Sequence, residues 1–302
     1  MLERLSIMTN MNHLDVKTRK QIVAALVKGN SVRATCRMTG AAKGTVLKLL
    51  ADLGEACDEF QDRAIRHLDC ALLQCDEIWS FCHCKERTLP YVKDAPEGAG
   101  SVWTWTAIDP DTKLMVTWYV GDRDTKSACR FMSDVASRVD NCVQLTTDGL
   151  KAYQWAVANA FENGMVDYGR IIKLYEGVED GKAAGGRYSP PVCTGVKVES
   201  LIGNPDPDLI STSHVERANL TMRMGMRRFT RLTNGHSKKI ENHCHAIALH
   251  FMHYNFCRKH MSLKGQTPAM AAGIADHVWS IDEMIALLPE KAGRFARIGA
   301  AA

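Results

Sequence analysis

The chain lacks any apolar run close to the roughly 20 residues that a membrane-crossing helix needs. Its best candidate, "AIALHFMHYNF", is interrupted by histidines, so no membrane partner is expected. No cleavable apolar leader stands at "MLERLSIMTNMNHLD". Together with eleven scattered cysteines, that points to reduced thiols and a cytoplasmic setting without structural disulfides. There is no G-x-x-x-x-G-K-[ST] loop, which argues against nucleotide hydrolysis. Nor is there a paired C-x-x-C knuckle: in "CHC", Cys82 and His83 would point to opposite faces of a strand, a poor start for a zinc site. The formal charge is only +4, so the chain as a whole is no polycation, and it carries no internal repeat or low-complexity tract. What basic charge there is must be judged by where it clusters.

The 302 residues, 46% of them hydrophobic, are enough for one sizeable core and a minor unit. Residues 16–53 have helical spacing. "VKTRKQIVAALVKGN" places Val16, Ile22, Val23, Leu26 and Val27 largely on one side, Gly29-Asn30 is a stop, and Ser31 can cap a second short helix. After a turn at Gly40, a third helix begins with small and basic residues, the cadence of a helix-turn-helix. Lys43, Thr45 and Lys48 would face a DNA groove; without DNA the same pattern reads as a three-helix packing module.

Beyond the polar helical connector "ACDEFQDRAIRHLDC" the texture turns to strand. "LLQCDEIWSF" alternates with period two, and "SVWTWTAID" and "KLMVTWYVG" follow across the turn "DPDT", which predicts an antiparallel meander. A helix near "DTKSACRFMSDVASRV", a strand "VQLTT", a helix near "AYQWAVANAF" and a strand at "RIIKLY" come next. The fold class expected is therefore α/β, a mixed sheet with flanking helices, preceded by an all-α unit. Residues 177–207, rich in glycine and proline, read as a long loop.

Three acids sit at the ends or on the polar face of these elements. Asp76 lies on the first strand, Asp148 closes a later one, and Glu216 opens a helix after the loop. Hard divalent cations such as Mg²⁺ or Mn²⁺ take oxygen ligands, and three carboxylates suffice for a two-metal site acting on phosphodiesters. The plainer reading of Glu216 is a capping box with Ser213. Behind Glu216 the chain turns basic: Asn219, Arg223 and Arg227 are expected on or near its helical face, with Arg228, Arg231, Lys238 and Lys239 beyond, a stripe suited to a phosphate backbone. Gly225 is a point where that helix could break.

"CDEIWSF", "TTDGLKAY" and the block "GNPDPDLISTSHVERANLTMRMGMRRFTRLTNGHSKK" followed by "ALHFMHYNF" resemble bacterial insertion-sequence DDE transposases, specifically the insertion-sequence-one type. The resemblance runs from "GNSVRATCRMTG" to "TPAMAAG". It implies a ribonuclease-H-like catalytic domain over residues 70–262, behind a tail at 1–14 and a helix-turn-helix domain with connector at 15–69, and before a helical tail at 263–302. By it, Asp76, Asp148 and Glu216 are the catalytic, metal-binding acids. The activity implied is cleavage of element ends and transfer of the 3′-hydroxyl to target DNA. The partners implied are double-stranded DNA and further copies of the chain, at the nucleoid. The alternative is an inactive element remnant that acts as a helix-turn-helix DNA-binding protein.

Overall fold

A computed structural model describes residues 14–175, 178–179, 182–183, 193–230 and 233–289. Helix α1 (Val16–Val27) starts where the Asp15 side chain accepts the Thr18 N–H. Helix α2 (Val32–Thr39) is capped by Ser31 and stopped by Gly40 in a left-handed conformation. Helix α3 (Lys43–Ala64) is longer than its sequence suggests, because the expected third helix and the polar connector are one continuous element. Val46, Leu49, Leu50, Leu53 and Cys57 keep one buried stripe running through both parts.

Strand β1 (Leu72–Cys82) pairs antiparallel with β2 (Gly100–Ile108), which pairs antiparallel with β3 (Met115–Gly121), the meander expected from the alternation. The Asp109 carboxylate shapes the β2–β3 turn by accepting from the Asp111 N–H and the Thr112 hydroxyl. Helix α4 (Thr125–Ala136), strand β4 (Val143–Thr147), helix α5 (Lys151–Ala160) and strand β5 (Val166–Tyr175) follow, with β1, β4 and β5 mutually parallel. The segment read as a loop at 177–207 holds a two-residue ribbon, Val178–Glu179 against Lys182–Ala183, and a full edge strand, β6 (Cys193–Ile202), antiparallel to β5. Glycine and proline masked the Thr-Gly-Val-Lys-Val-Glu alternation there, and pairing with β5 supplied what local pattern did not. The sheet order is β3-β2-β1-β4-β5-β6. This mixed six-stranded sheet with flanking helices is consistent with the ribonuclease-H-like arrangement that the resemblance implies.

Both faces of β1 are covered. Leu73 and Cys75 face α4 and α5 in a cluster with Trp105, Phe131 and Tyr153. Ile78 faces the other way, toward α6 (Ser213–Gly225) and α7 (Ile240–Met252), in a cluster with Val215, Met222, Ile247 and Phe251. Past α7 a π turn, His253–Cys257, carries the buried Asn255, which bonds the backbone N–H and C=O of Met115 and pins the helix end to β3. Helix α3 packs on the outer side of α7 at close range. A Cβ on Gly54 would stand 2.5 Å from the His245 Cβ, and Gln61 Nε2 donates to the Ala248 carbonyl. The larger hydrophobic cluster therefore continues from the first three helices into the sheet layer without a break at residue 70. The last elements, α8 (Pro268–Ala271) and α9 (Ile281–Ala286), return to this cluster; a capping box of Ser280 and Glu283 opens α9, and Lys20 pairs with Asp282. No helix of the described residues is long and apolar enough to cross a membrane.

Helix α6 corrects two expectations. It begins at Ser213 with Thr212 as N-cap, and no Ser213–Glu216 capping box forms, since the Glu216 carboxylate is engaged elsewhere. It also ends at Gly225: Met226 is extended and Arg227–Phe229 form a separate 3-10 turn, so Arg227 does not continue the face of Glu216. Glycine is a weak helix former, and burial of Met226 and Phe229 draws the chain off the helical path.

Candidate metal centre

The parallel pairing of β1 and β4 aligns Cys75 with Thr147, so one step further Asp76 stands level with Asp148 on the neighbouring strand. Oxygen atoms of Asp76, Glu77 and Asp148 all lie within 4.8 Å of one another. Glu216 reaches the same place from α6, close enough that its charge raises the pKa of both Asp76 and Asp148. The tight group at the end of β4 is thus Asp76, Glu77 and Asp148, with Glu216 of α6 near enough to act on it electrostatically.

Each acid is held by a partner from another element. Asp76 Oδ2 accepts from Asn219 Nδ2 at 2.8 Å, and Thr106 ties Asn219 to β2 by donating to both Asn219 Oδ1 and the Asp76 carbonyl. Asp148 Oδ1 accepts the Leu150 N–H at 2.9 Å, an Asx turn that fixes the carboxylate at the head of α5. Glu216 Oε1 accepts from the Thr212 hydroxyl at 2.7 Å and from Lys173 Nζ of β5. Helix α6 is itself seated by β1. The buried Gln74 Oε1, two residues before Asp76 and on the same strand face, accepts the N–H groups of His214 (2.9 Å) and Val215 (3.2 Å). A strand side chain thereby does the work of an N-cap and sets Glu216 over Asp76.

The opposite face of β1 contributes Glu77, almost wholly buried. It accepts from Arg123 Nε at 2.6 Å and from the Tyr153 hydroxyl at 3.1 Å, while Arg123 Nη2 lies 3.8 Å from Asp148 and its guanidinium stacks on Trp103. Burial, reinforced by the Asp148 charge, pushes the Asp76 carboxyl up to about 6. Burial and Asp148 likewise push Glu77 well above the usual carboxylate range, against the pull of Arg123. Asp148 is raised by burial and by Glu216, opposed by the Leu150 N–H, Arg123 and Lys173. The cluster holds more negative charge than Arg123 and Lys173 offset. Hard oxygen donors this close, with their ionisation suppressed by burial and mutual repulsion, fit a divalent cation of the Mg²⁺ or Mn²⁺ type.

The basic residues expected at DNA scatter. Lys43 and Lys48 are exposed on α3, Lys48 paired with Asp52 at 2.9 Å, and Thr45 is half-buried beside them. Asn219 is corrected: it is 5% exposed and serves Asp76, not an outward stripe. Arg223 is half-buried on the last turn of α6, Arg227 is exposed, and Arg228 turns inward to the Ser237 hydroxyl. Lys238 and Lys239 are exposed, and Arg231 lies outside the described residues. His214 is turned to Lys113, 3.2 Å away, and burial followed by that lysine lowers its pKa. Sequence reasoning missed Gln74, Glu77, Arg123 and Lys173. The adjacent pair Asp76-Glu77 in a strand was a signal for Glu77, but nothing local marks the other three.

No family model matches the chain, and no curated protein does. Seventeen chains of solved structures match. One of them is a piggyBac transposase in a synaptic complex with hairpin DNA, 11% identical to this chain, covering 89% of it and 69% of its own length, with a TM-score of 0.43. At that identity and score, the fold and the acid cluster described above stand on their own geometry.

Proposed function

We propose that the protein is a DDE transposase of the insertion-sequence type, cutting DNA at element ends and joining the freed 3′-hydroxyl to a target strand. The observation that supports this reading is the close grouping of Asp76, Glu77 and Asp148 at the ends of two parallel central strands, with Glu216 brought near by a helix seated on β1. Asp76, Asp148 and Glu216 would hold the divalent ions, with Glu77 in reach of the same space. Bound there, two such ions activate the attacking oxygen and stabilise the leaving oxygen of a phosphodiester.

The chain's own residues explain how the acids are kept ready. Asn219 orients Asp76, the Asx turn orients Asp148, and Gln74 fixes the helix that carries Glu216. Asn219 and Gln74 stand on regular elements, which hold a site more precisely than loops do, and the Asp148 turn is the short link between β4 and α5. Lys173 pairs with Glu216 Oε1 and would compete with a metal ion for that oxygen. Helices α1–α3 would grip the element end as a helix-turn-helix unit, and further copies of the chain would pair the two ends.

The test is cleavage of an end-labelled duplex carrying the element's own terminal sequence, with Mg²⁺ and with EDTA, for wild type beside Glu216→Ala and Asp76→Asn. Metal-dependent nicks lost in both variants are expected. A pre-cut end that fails to join a target would leave a nuclease in place of a transposase. Wild-type cutting by either variant would sink the site assignment.

A further inference from the structure

A cleft of about 560 Å³ lies between the first three helices and the chain that leaves α6. At its floor the α1–α2 turn sits directly on the end of α6; Gly29 has φ +82°, and a Cβ there would stand 2.6 Å from the Gly225 carbonyl oxygen. Arg33, Lys43, Arg227, Arg228, His236 and Lys238 line the cleft, and no Asp or Glu does among the described residues. None of these arginines and lysines makes an ion pair among the described residues.

Arg228 is the sharpest feature. It is part-buried, with Nη1 donating to the Ser237 hydroxyl at 2.5 Å, and no carboxylate pairs with it among the described residues. His236 Nδ1, buried on the same wall, has no hydrogen-bond partner. Taking a cation out of water without a counter-charge costs several kcal/mol. An incoming anion removes that cost. Five cations spread along one cleft exceed what a single small anion needs; they suit a row of phosphates.

The helix between the two places fixes a distance. Glu216 and Gly225 are separated on α6 by about 13 Å at the usual rise per residue. We propose that this cleft is a clamp for the phosphate backbone of duplex DNA, lying one helix length, about 13 Å, from the acid cluster. The placement rests on the strand-cutting reading above; the clamp itself does not.

The experiment measures binding of a fluorescent 30-base-pair mixed-sequence duplex in EDTA across a salt series, for wild type, Arg33→Ala with Lys43→Ala, and Arg228→Met. Each lost phosphate contact should make the slope of log affinity against log salt shallower by about 1. The Arg33/Lys43 pair, exposed and free of structural contacts, carries the test if Arg228→Met does not fold. Wild-type slopes and affinities in the folded variants would overturn the clamp. So would thermal protection of wild type by inorganic phosphate that Arg228→Met loses while DNA binding is unchanged, which would mark a small-anion site. The same duplex with Mg²⁺ separates the two claims. Grip that depends on the cleft in a protein that never cuts leaves the clamp and sinks the reaction; cutting with cleft-independent grip does the reverse.

Discussion

Asp76→Asn should stabilise the protein in the absence of divalent metal. Burial and Asp148 raise the Asp76 pKa from 3.8 to about 6. Between those values the folded chain binds a proton that the unfolded chain has released, so stability falls as pH rises through that window. At about 1.4 kcal/mol per unit, holding Asp76 ionised above pH 6 costs the fold about 3 kcal/mol. Asparagine keeps the shape, carries no charge and can still accept the Asn219 amide, so urea midpoints in EDTA at pH 7.5 should show a gain approaching that figure. Near pH 4 wild type is protonated at this position and the gain should vanish. Adding Mg²⁺ should then stabilise wild type selectively, by about 2.7 kcal/mol at a hundredfold excess over its dissociation constant. An Asn variant no more stable than wild type at pH 7.5, or a gain that persists at pH 4, would refute the reasoning. Such a result would mean that the acids are not in unrelieved repulsion.

Other substitutions probe the supports. Gln74→Leu strips the acceptor from two first-turn N–H groups of α6, and should cost about 1–3 kcal/mol in urea denaturation while lowering activity further than the stability loss explains. Lys173→Met should tighten Mn²⁺ binding, read by titration, because Glu216 is released, with stability changed by less than about 1 kcal/mol as befits a half-exposed pair. Unchanged metal affinity would show that Lys173 does not compete for the site. Gly54→Ala, which on an isolated helix would gain about 1 kcal/mol, should instead destabilise by about 1–3 kcal/mol through the clash with His245, and a raised denaturation midpoint would contradict the close α3–α7 packing.

How much was legible in the sequence depends on whether the signal was local. The β1–β2–β3 meander, the boundaries of "VQLTT", the Ser31 cap and the break at Gly225 all follow from period, turn residues and backbone preference within a few positions. The edge strand β6 was missed because its alternation is short and flanked by glycine and proline, and its pairing with β5 comes from a distant segment.

The same division holds at the acid cluster. Asp76, Asp148 and Glu216 could be chosen from the chain because strand ends and helix starts are readable and carboxylates there are conspicuous. Their supports could not. Gln74 caps a helix 140 positions away, Lys173 reaches Glu216 across 43, and Arg123 reaches Glu77 across 46. The sequence alone set the elements and put acid on them, since hydrogen bonding to neighbours and hydrophobic period act locally. Only the tertiary structure decided that Asn219 faces inward, that Arg227 leaves the Glu216 face and that Arg228 turns to Ser237 with no carboxylate partner among the described residues, because burial and charge pairing depend on which distant surfaces meet.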